Sequence, residues 1–112
     1  MKQLDTIQKK GKLNLIYGIS DCSEYVVTSK EKIVLEEIMF QKGARNEKGS
    51  IPGVLDCDLL EIVRDRLKHF QQGEFACEYN EQALKHVEYA LFFLNERVED
   101  RIRRDVLGKD IK

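Results

Sequence analysis

Apolar and polar residues alternate with a period of two along the first third of the chain. The segments are KLNLIYGI (residues 12–19), EYVVTS (24–29) and KIVLEEIMFQK (32–42), and polar turns separate them. Such alternation is typical of half-buried strands, which β-branched residues also favour. The third segment slips by one residue at Glu36 and Glu37, as at a β-bulge, although a short helix could also use these residues. The pattern favours three antiparallel strands after a polar lead-in or short helical turn over residues 1–11.

Beyond residue 56 the apolar residues recur at intervals of three and four, which is typical of amphipathic helices. A first helix is predicted over residues 59–72, with Asp56 or Asp58 as its cap, and a second over residues 81–105. The second helix carries a repeating apolar row: Leu84, Val87, Leu91, Leu94, Val98 and Ile102. Phe92 and Phe93 widen this row, so the second helix is predicted to be buried on two sides, by the first helix and by the sheet or another subunit.

A tight connection, FQQGEFACEYN (residues 70–80), joins the two predicted helices. Gly73 stands where the residue after a helix C-cap belongs, because glycine takes a positive φ without steric cost. Asn80 stands where the N-cap of the second helix belongs. Phe70 fits either the core or an exposed platform, whereas the pattern assigns Phe75 to the core. An α+β fold follows, with a small N-terminal antiparallel sheet and a C-terminal antiparallel hairpin of two helices.

The predicted organisation is a single domain with three parts: a sheet over residues 12–42, a glycine-rich loop over residues 43–55 and the hairpin over residues 56–108. Between Gly43 and Gly53 the loop holds three of the seven glycines and the only proline. It also places one cation, Arg45, between glycines. A solvated loop residue and a ligand contact are both open readings of Arg45.

Charge and cysteine content narrow the possible functions. The chain has 112 residues, 19 basic and 20 acidic side chains, so it lacks the basic excess of a protein that binds DNA or RNA polymers. No apolar run approaches the roughly 18 residues that a membrane span needs. The chain has three cysteines, an odd number without C-x-x-C spacing: Cys22, Cys57 and Cys77. This indicates reduced thiols in a cytoplasm. A small core of this size would also gain from self-association.

The arginines near the end of the second helix are the sharpest chemical signal. Arg103 and Arg104 each follow an acidic residue by four positions and fit solvated ion pairs. Arg97 and Arg101 lie one turn apart without such a partner. Two readings stay open for them: cations that favour a helix C-terminus, or a phosphate site, because guanidinium forks match phosphate geometry.

Residues for catalysis are not apparent. His69 and His86 lack a paired carboxylate or serine pattern, and no phosphate-binding glycine loop or nucleophile motif occurs. The cysteines have no basic neighbour that would activate a thiolate. No enzymatic activity, cofactor or metal site is therefore predicted, and the residues by themselves indicate no more than a pocket for an anionic ligand.

Five patterns are similar to one known family. They are F-Q-x-G before a glycine-containing loop, G-V-x-x-x-D-L-L-x-I-V, D-R-L-x-x-F-Q-x-G-x-F-A, A-L-x-x-x-E-x-A-L and a terminal R-x-x-D-R, and the similarity as a whole spans residues 38–108. This combination resembles the phage Thoeris anti-defence 1 sponges, whose hairpin module is shared with phage anti-CBASS cyclic-nucleotide sponges.

The resemblance implies a phage protein of the infected host cytoplasm that assembles into dimers and then hexamers. It implies that the protein sequesters cyclic ADP-ribose isomers (glycocyclic ADP-ribose), the signals made by TIR proteins, without degrading them. The resemblance also leaves open cyclic di- and trinucleotides as a further ligand class, at separate sites. The implied ligand-binding residues are Arg45 as the loop cation, Phe70 as an adenine platform, Asn80, and Arg97 and Arg101 as phosphate ligands.

Two other readings compete with this one. The chain could be a small interaction module whose second helix docks a partner and whose arginines are solvated. It could also be an enzyme that cleaves the cyclic signal, although no acid–base pair stands out. Recovery of intact signal, or of an altered product, separates these possibilities.

Overall fold

The fold is α+β, as the sequence predicts. A computed structural model describes residues 13–112, together with the backbone of Asp5–Thr6. The strands are β1 (Asp5–Thr6), β2 (Leu15–Gly18), β3 (Glu24–Thr28) and β4 (Val34–Met39), and the helices are α1 (Asp56–Gln71) and α2 (Glu78–Arg103). The chain divides into two compact units, residues 1–54 and residues 55–112.

The first unit is an antiparallel meander in which each strand pairs with the next along the chain. The three predicted strands are confirmed. The lead-in predicted for residues 1–11 lies outside the described residues except at Asp5–Thr6, which pairs with β2 as a short edge strand rather than a helical turn. The predicted bulge also occurs: Val27 pairs with Glu36 and Thr28 with Val34, so Leu35 is the extra residue on β4.

The glycine-rich loop after β4 is closed by backbone hydrogen bonds at its base. Lys42 and Ile51 exchange both of their bonds, at 2.9 and 2.8 Å, and the Val54 amide donates to Met39 at 2.9 Å. The loop returns so closely that a Cβ on Gly53 would meet the Phe40 carbonyl carbon at 2.4 Å. A glycine is therefore required at position 53, and the base of the loop that carries Arg45 is ordered.

An ion pair at the β2–β3 turn also contacts the base of this loop. Asp21 accepts a hydrogen bond from the Ser23 hydroxyl at 2.6 Å and pairs with Lys42 Nζ at 3.0 Å. The Ser23 hydroxyl first, and Lys42 second, lower the pKa of Asp21 from 3.8 to about 2. The charged carboxylate is thus favoured in the folded state.

We expect Asp21→Asn to destabilise the first unit at neutral pH but not in strong acid. A depressed folded pKa contributes stability above the unfolded pKa of 3.8, and this contribution disappears as pH falls through about 2. Thermal denaturation of both proteins between pH 7 and pH 2 should show a stability difference that shrinks below pH 4. A difference that stays constant across this range would exclude the ionised carboxylate as its cause.

The second unit is the helical hairpin, and its first helix begins at Asp56, three residues earlier than predicted. Asp58 acts near the start of α1 by accepting the Leu55 backbone N–H at 2.8 Å, so the N-cap is Leu55 rather than Asp56 or Asp58. Between the helices, Arg64 Nε donates to Glu88 at 3.0 Å. Leu91, 5% exposed, is the buried apolar residue of α2.

One side of α2 packs against α1, as predicted, whereas the cover predicted for its second side, by the sheet or by another subunit, stays a prediction. Phe92 is 55% exposed and Phe93 66% exposed, and their rings pack edge to face against each other at 5.3 Å. Together with Lys85, Glu88 and Tyr89 they line an open surface depression. The helical periodicity correctly placed these residues on one apolar face of α2, but it does not identify the surface that would cover this face.

Candidate functional site: the two ends of the helical hairpin

The corner between the helices is held by one side chain, Gln71. Its Nε2 donates to the Cys77 carbonyl at 3.1 Å and to Glu81 Oε2 at 3.2 Å, and its Oε1 accepts from the Cys77 amide at 3.0 Å. Gln71 therefore ties the end of α1 to the start of α2. It fixes the segment that lies between the two predicted ligand contacts, Phe70 and Asn80.

Phe70 lies at the C-terminal end of α1 and is 38% exposed. The Arg66 guanidinium lies over its ring, with Cζ 5.3 Å from the ring centroid, which is a cation–π contact. Arg66 thus covers one face of a ring that is partly exposed to solvent. Phe75, predicted to be core, is 69% exposed, because it lies in the connection between α1 and α2 and belongs to the packed face of neither helix.

Asn80 is not the N-cap of α2. The helix begins at Glu78, and Cys77 occupies the N-cap position with its Sγ accepting the Asn80 amide at 3.5 Å. Asn80 is therefore the third residue of the helix and is half-buried. Cys77 is exposed. Gly73 follows the C-cap of α1 as predicted, but it is not among the described residues with positive φ.

The predicted phosphate-binding arginines lie at the opposite end of α2 and differ from each other. Arg97 is exposed, whereas Arg101 is 8% exposed. The Arg101 guanidinium donates to three backbone carbonyls: Val106 at 3.0 Å, Lys109 at 2.7 Å and Ile111 at 2.5 Å. Arg104 pairs with Asp100 at 3.1 Å, which confirms its predicted ion pair.

One hairpin does not bring the two groups of predicted contacts together. Asn80 and Arg97 are 17 residues apart on a continuous helix. At a rise of 1.5 Å per residue this separation is about 26 Å, longer than one cyclic ADP-ribose. The aromatic corner and the arginine end of the same chain therefore cannot contact one such ligand together.

Arg45, the remaining predicted contact, belongs to the first unit. It lies on the exposed part of the glycine-rich loop, and its carbonyl accepts a hydrogen bond from the Ser50 hydroxyl at 3.3 Å. This bond crosses the loop and holds the backbone of Arg45, from which the guanidinium extends.

The hairpin and the strand before it match one family. The family model described as Acb2/Tad1, hairpin domain, matches residues 32–99, more than half of the chain. The chain belongs to the Acb2/Tad1 hairpin-domain family. It is also 37% identical over 92 residues to "Thoeris anti-defense 1" of Bacillus phage SBSphiJ7. That match covers 82% of this chain and 64% of the relative's length.

The contacts of two residues in this Acb2/Tad1 hairpin were not predicted from the sequence. Arg66 stands one turn before Phe70, and that spacing is a signal for a contact between the two side chains. Gln71 gave no such signal, because its partners Cys77 and Glu81 meet it only when the connection folds back.

The side chains at the two ends of the Acb2/Tad1 hairpin include guanidinium, phenyl and amide groups. Over the described ranges no group of three or more histidine, cysteine or acidic side chains could hold a metal ion. The three cysteines are free thiols. Neither helix is long and apolar enough to cross a membrane.

We expect Gln71→Ala to lower the free energy of unfolding by about 1–3 kcal/mol, since it removes the hydrogen bonds that close the corner. Chemical denaturation followed by circular dichroism measures this loss. Gln72→Ala is the matched control, because the C-cap Gln72 acts through its backbone, and a change within about 0.5 kcal/mol is expected. Equal losses in the two variants would show that the Gln71 side chain does not hold the corner.

Proposed function

We propose that this protein is a phage anti-defence protein that binds and sequesters cyclic ADP-ribose isomers without degrading them. The observation that carries the proposal is the arginine pair of α2, one turn apart and without the acid–base spacing that Arg103 and Arg104 have. The similarity to a phage protein named "Thoeris anti-defense 1" supports the anti-defence role. The site of action is the cytoplasm of the infected bacterium, where the signal is made.

The ligand class follows from the groups available. A cyclic ADP-ribose carries two phosphates and an adenine. Guanidiniums form short, charge-assisted hydrogen bonds with phosphate, and an exposed aromatic ring stacks a base. Arg97 and Arg101 are the proposed phosphate ligands, Phe70 the adenine platform and Asn80 a polar contact, while Arg45 adds a cation from the glycine-rich loop.

Two copies of the chain are needed to complete such a site. The corner and the arginine end of one hairpin are about 26 Å apart along α2, so the corner of one copy is proposed to meet the arginines of another. The exposed Tyr89, Phe92 and Phe93 provide apolar surface for this association. The proposed assembly is a dimer, with dimers forming a hexamer, and sedimentation velocity of the free protein measures its size.

Titration calorimetry with a cyclic ADP-ribose isomer tests the proposal. Saturable binding is expected, and linear ADP-ribose, which lacks the ring closure, is expected to bind more weakly. Cyclic di- and trinucleotides serve as comparison ligands, because they carry related phosphodiester anions and are proposed to bind at separate sites. Absence of binding for every isomer would favour the interaction-module reading instead.

A further inference from the structure

The C-terminal segment, residues 106–112, folds back onto Arg101. The helix ends in a Schellman motif: Asp105 has φ 56°, the Asp105 amide donates to Ile102 and the Val106 amide to Arg101. Gly108, at φ 77°, continues the turn, and the Lys109 amide donates to the Val106 carbonyl at 3.1 Å. The carbonyls of this segment are thereby aimed at the Arg101 guanidinium.

This contact hides the group that the proposed function requires. Of the five N–H donors of a guanidinium, three are directed to segment carbonyls. Arg101 is 8% exposed as a result, whereas Arg97, one turn earlier, is exposed. In this conformation the segment covers Arg101. A phosphate can reach the Arg101 guanidinium only after the segment has moved.

Arg101 forms stronger hydrogen bonds with a phosphate than with the carbonyls of the segment. The carbonyls are neutral, while phosphate is an anion whose oxygens match the guanidinium fork, so its hydrogen bonds are the stronger ones. Release of the segment uncovers mainly the half-buried Val106, since Leu107 is already 43% exposed and Ile111 53% exposed. The freed carbonyls can bond to water.

We propose that residues 106–112 form a latch that occupies Arg101 in the free protein and is displaced when the phosphate of the ligand binds. This inference rests on the proposed function, because it assigns Arg101 to the ligand. The latch supplies hydrogen-bond acceptors to the buried guanidinium when no anion is bound. It also reduces the apparent affinity to the intrinsic affinity multiplied by the fraction of molecules that are unlatched.

Hydrogen–deuterium exchange of the full chain tests the latch directly. Adding a saturating cyclic ADP-ribose isomer is expected to speed exchange of the amides in residues 106–112, including Val106 and Lys109. A second measurement uses Gly108→Ala, which strains the latched turn at φ 77° without touching Arg101. The variant should bind the isomer more tightly, by up to about tenfold. Ile111→Val, which keeps its backbone carbonyl, is the matched control and should bind within about twofold of the wild type.

The outcomes separate the latch from the proposed function. Faster exchange together with tighter binding by Gly108→Ala supports both. If the wild type binds the isomer, but exchange in residues 106–112 is unchanged or slower and Gly108→Ala gains no affinity, the latch is overturned and the proposed function stands. If neither the wild type nor Gly108→Ala binds, the proposed function fails, and the latch fails with it.

Discussion

Arg101→Ala is expected to weaken binding of a cyclic ADP-ribose isomer by about 30-fold to several thousand-fold. Removing one partner of a buried, hydrogen-bonded charge pair costs about 2–5 kcal/mol, partly because the other charge is left unpaired. The phosphate would lose a guanidinium that alanine cannot replace. Titration calorimetry measures the affinity, and circular dichroism checks that the helices persist.

Arg104→Ala is the matched control for this result. Arg104 is three residues further along, at the C-cap of α2, and its side chain pairs with Asp100 at the surface. Exposed pairs of this kind contribute about 0–1 kcal/mol, so ligand affinity should stay within about threefold. Equal losses in the two variants would point to general positive charge rather than to a site at Arg101. Unchanged affinity of Arg101→Ala would leave Arg101 with the structural role of holding residues 106–112.

Phe70→Ala is expected to weaken binding by about 5- to 150-fold, since the stacking of one base on an aromatic ring contributes about 1–3 kcal/mol. Phe70 is 38% exposed and lies under Arg66, so the fold loses one cation–π contact but no buried core. The expected pattern is lost affinity with intact helix content. Calorimetric titration of the variant measures it.

Phe75→Ala provides the comparison for Phe70. Phe75 belongs to the same connection and is 69% exposed, yet it follows the end of α1 and has no assigned contact with the ligand. Its replacement should change the affinity less than twofold. A larger loss for Phe75→Ala than for Phe70→Ala would move the adenine platform to the other ring.

Periodicity predicted most of the fold because each element has one consistent pattern. The period of two located β2, β3 and β4, the slip at Glu36 and Glu37 gave the bulge within one residue, and the three-and-four spacing located both helices. The start of α2 was missed. Asparagine is a stronger N-cap than cysteine, and the choice of Cys77 depends on Gln71, which holds the Cys77 backbone from the preceding helix.

The candidate site was less accessible to sequence reasoning. The acid–base spacing correctly separated Arg104 from Arg97 and Arg101. The three groups that accept hydrogen bonds from Arg101 are backbone carbonyls, so their contacts do not depend on side-chain type and no sequence pattern predicts them. Likewise, an apolar helix face predicts burial without naming its partner, and Phe92 and Phe93 are exposed in the single chain.

The most direct test of the central claim is to recover the signal intact. The purified protein is incubated with a cyclic ADP-ribose isomer and filtered, and the filtrate is assayed. The retained protein is then heat-denatured, and the released material is identified by mass spectrometry. Sequestration predicts a depleted filtrate and full recovery of the unaltered isomer. A filtrate that keeps all of the isomer, or release of an altered product only, would contradict the account.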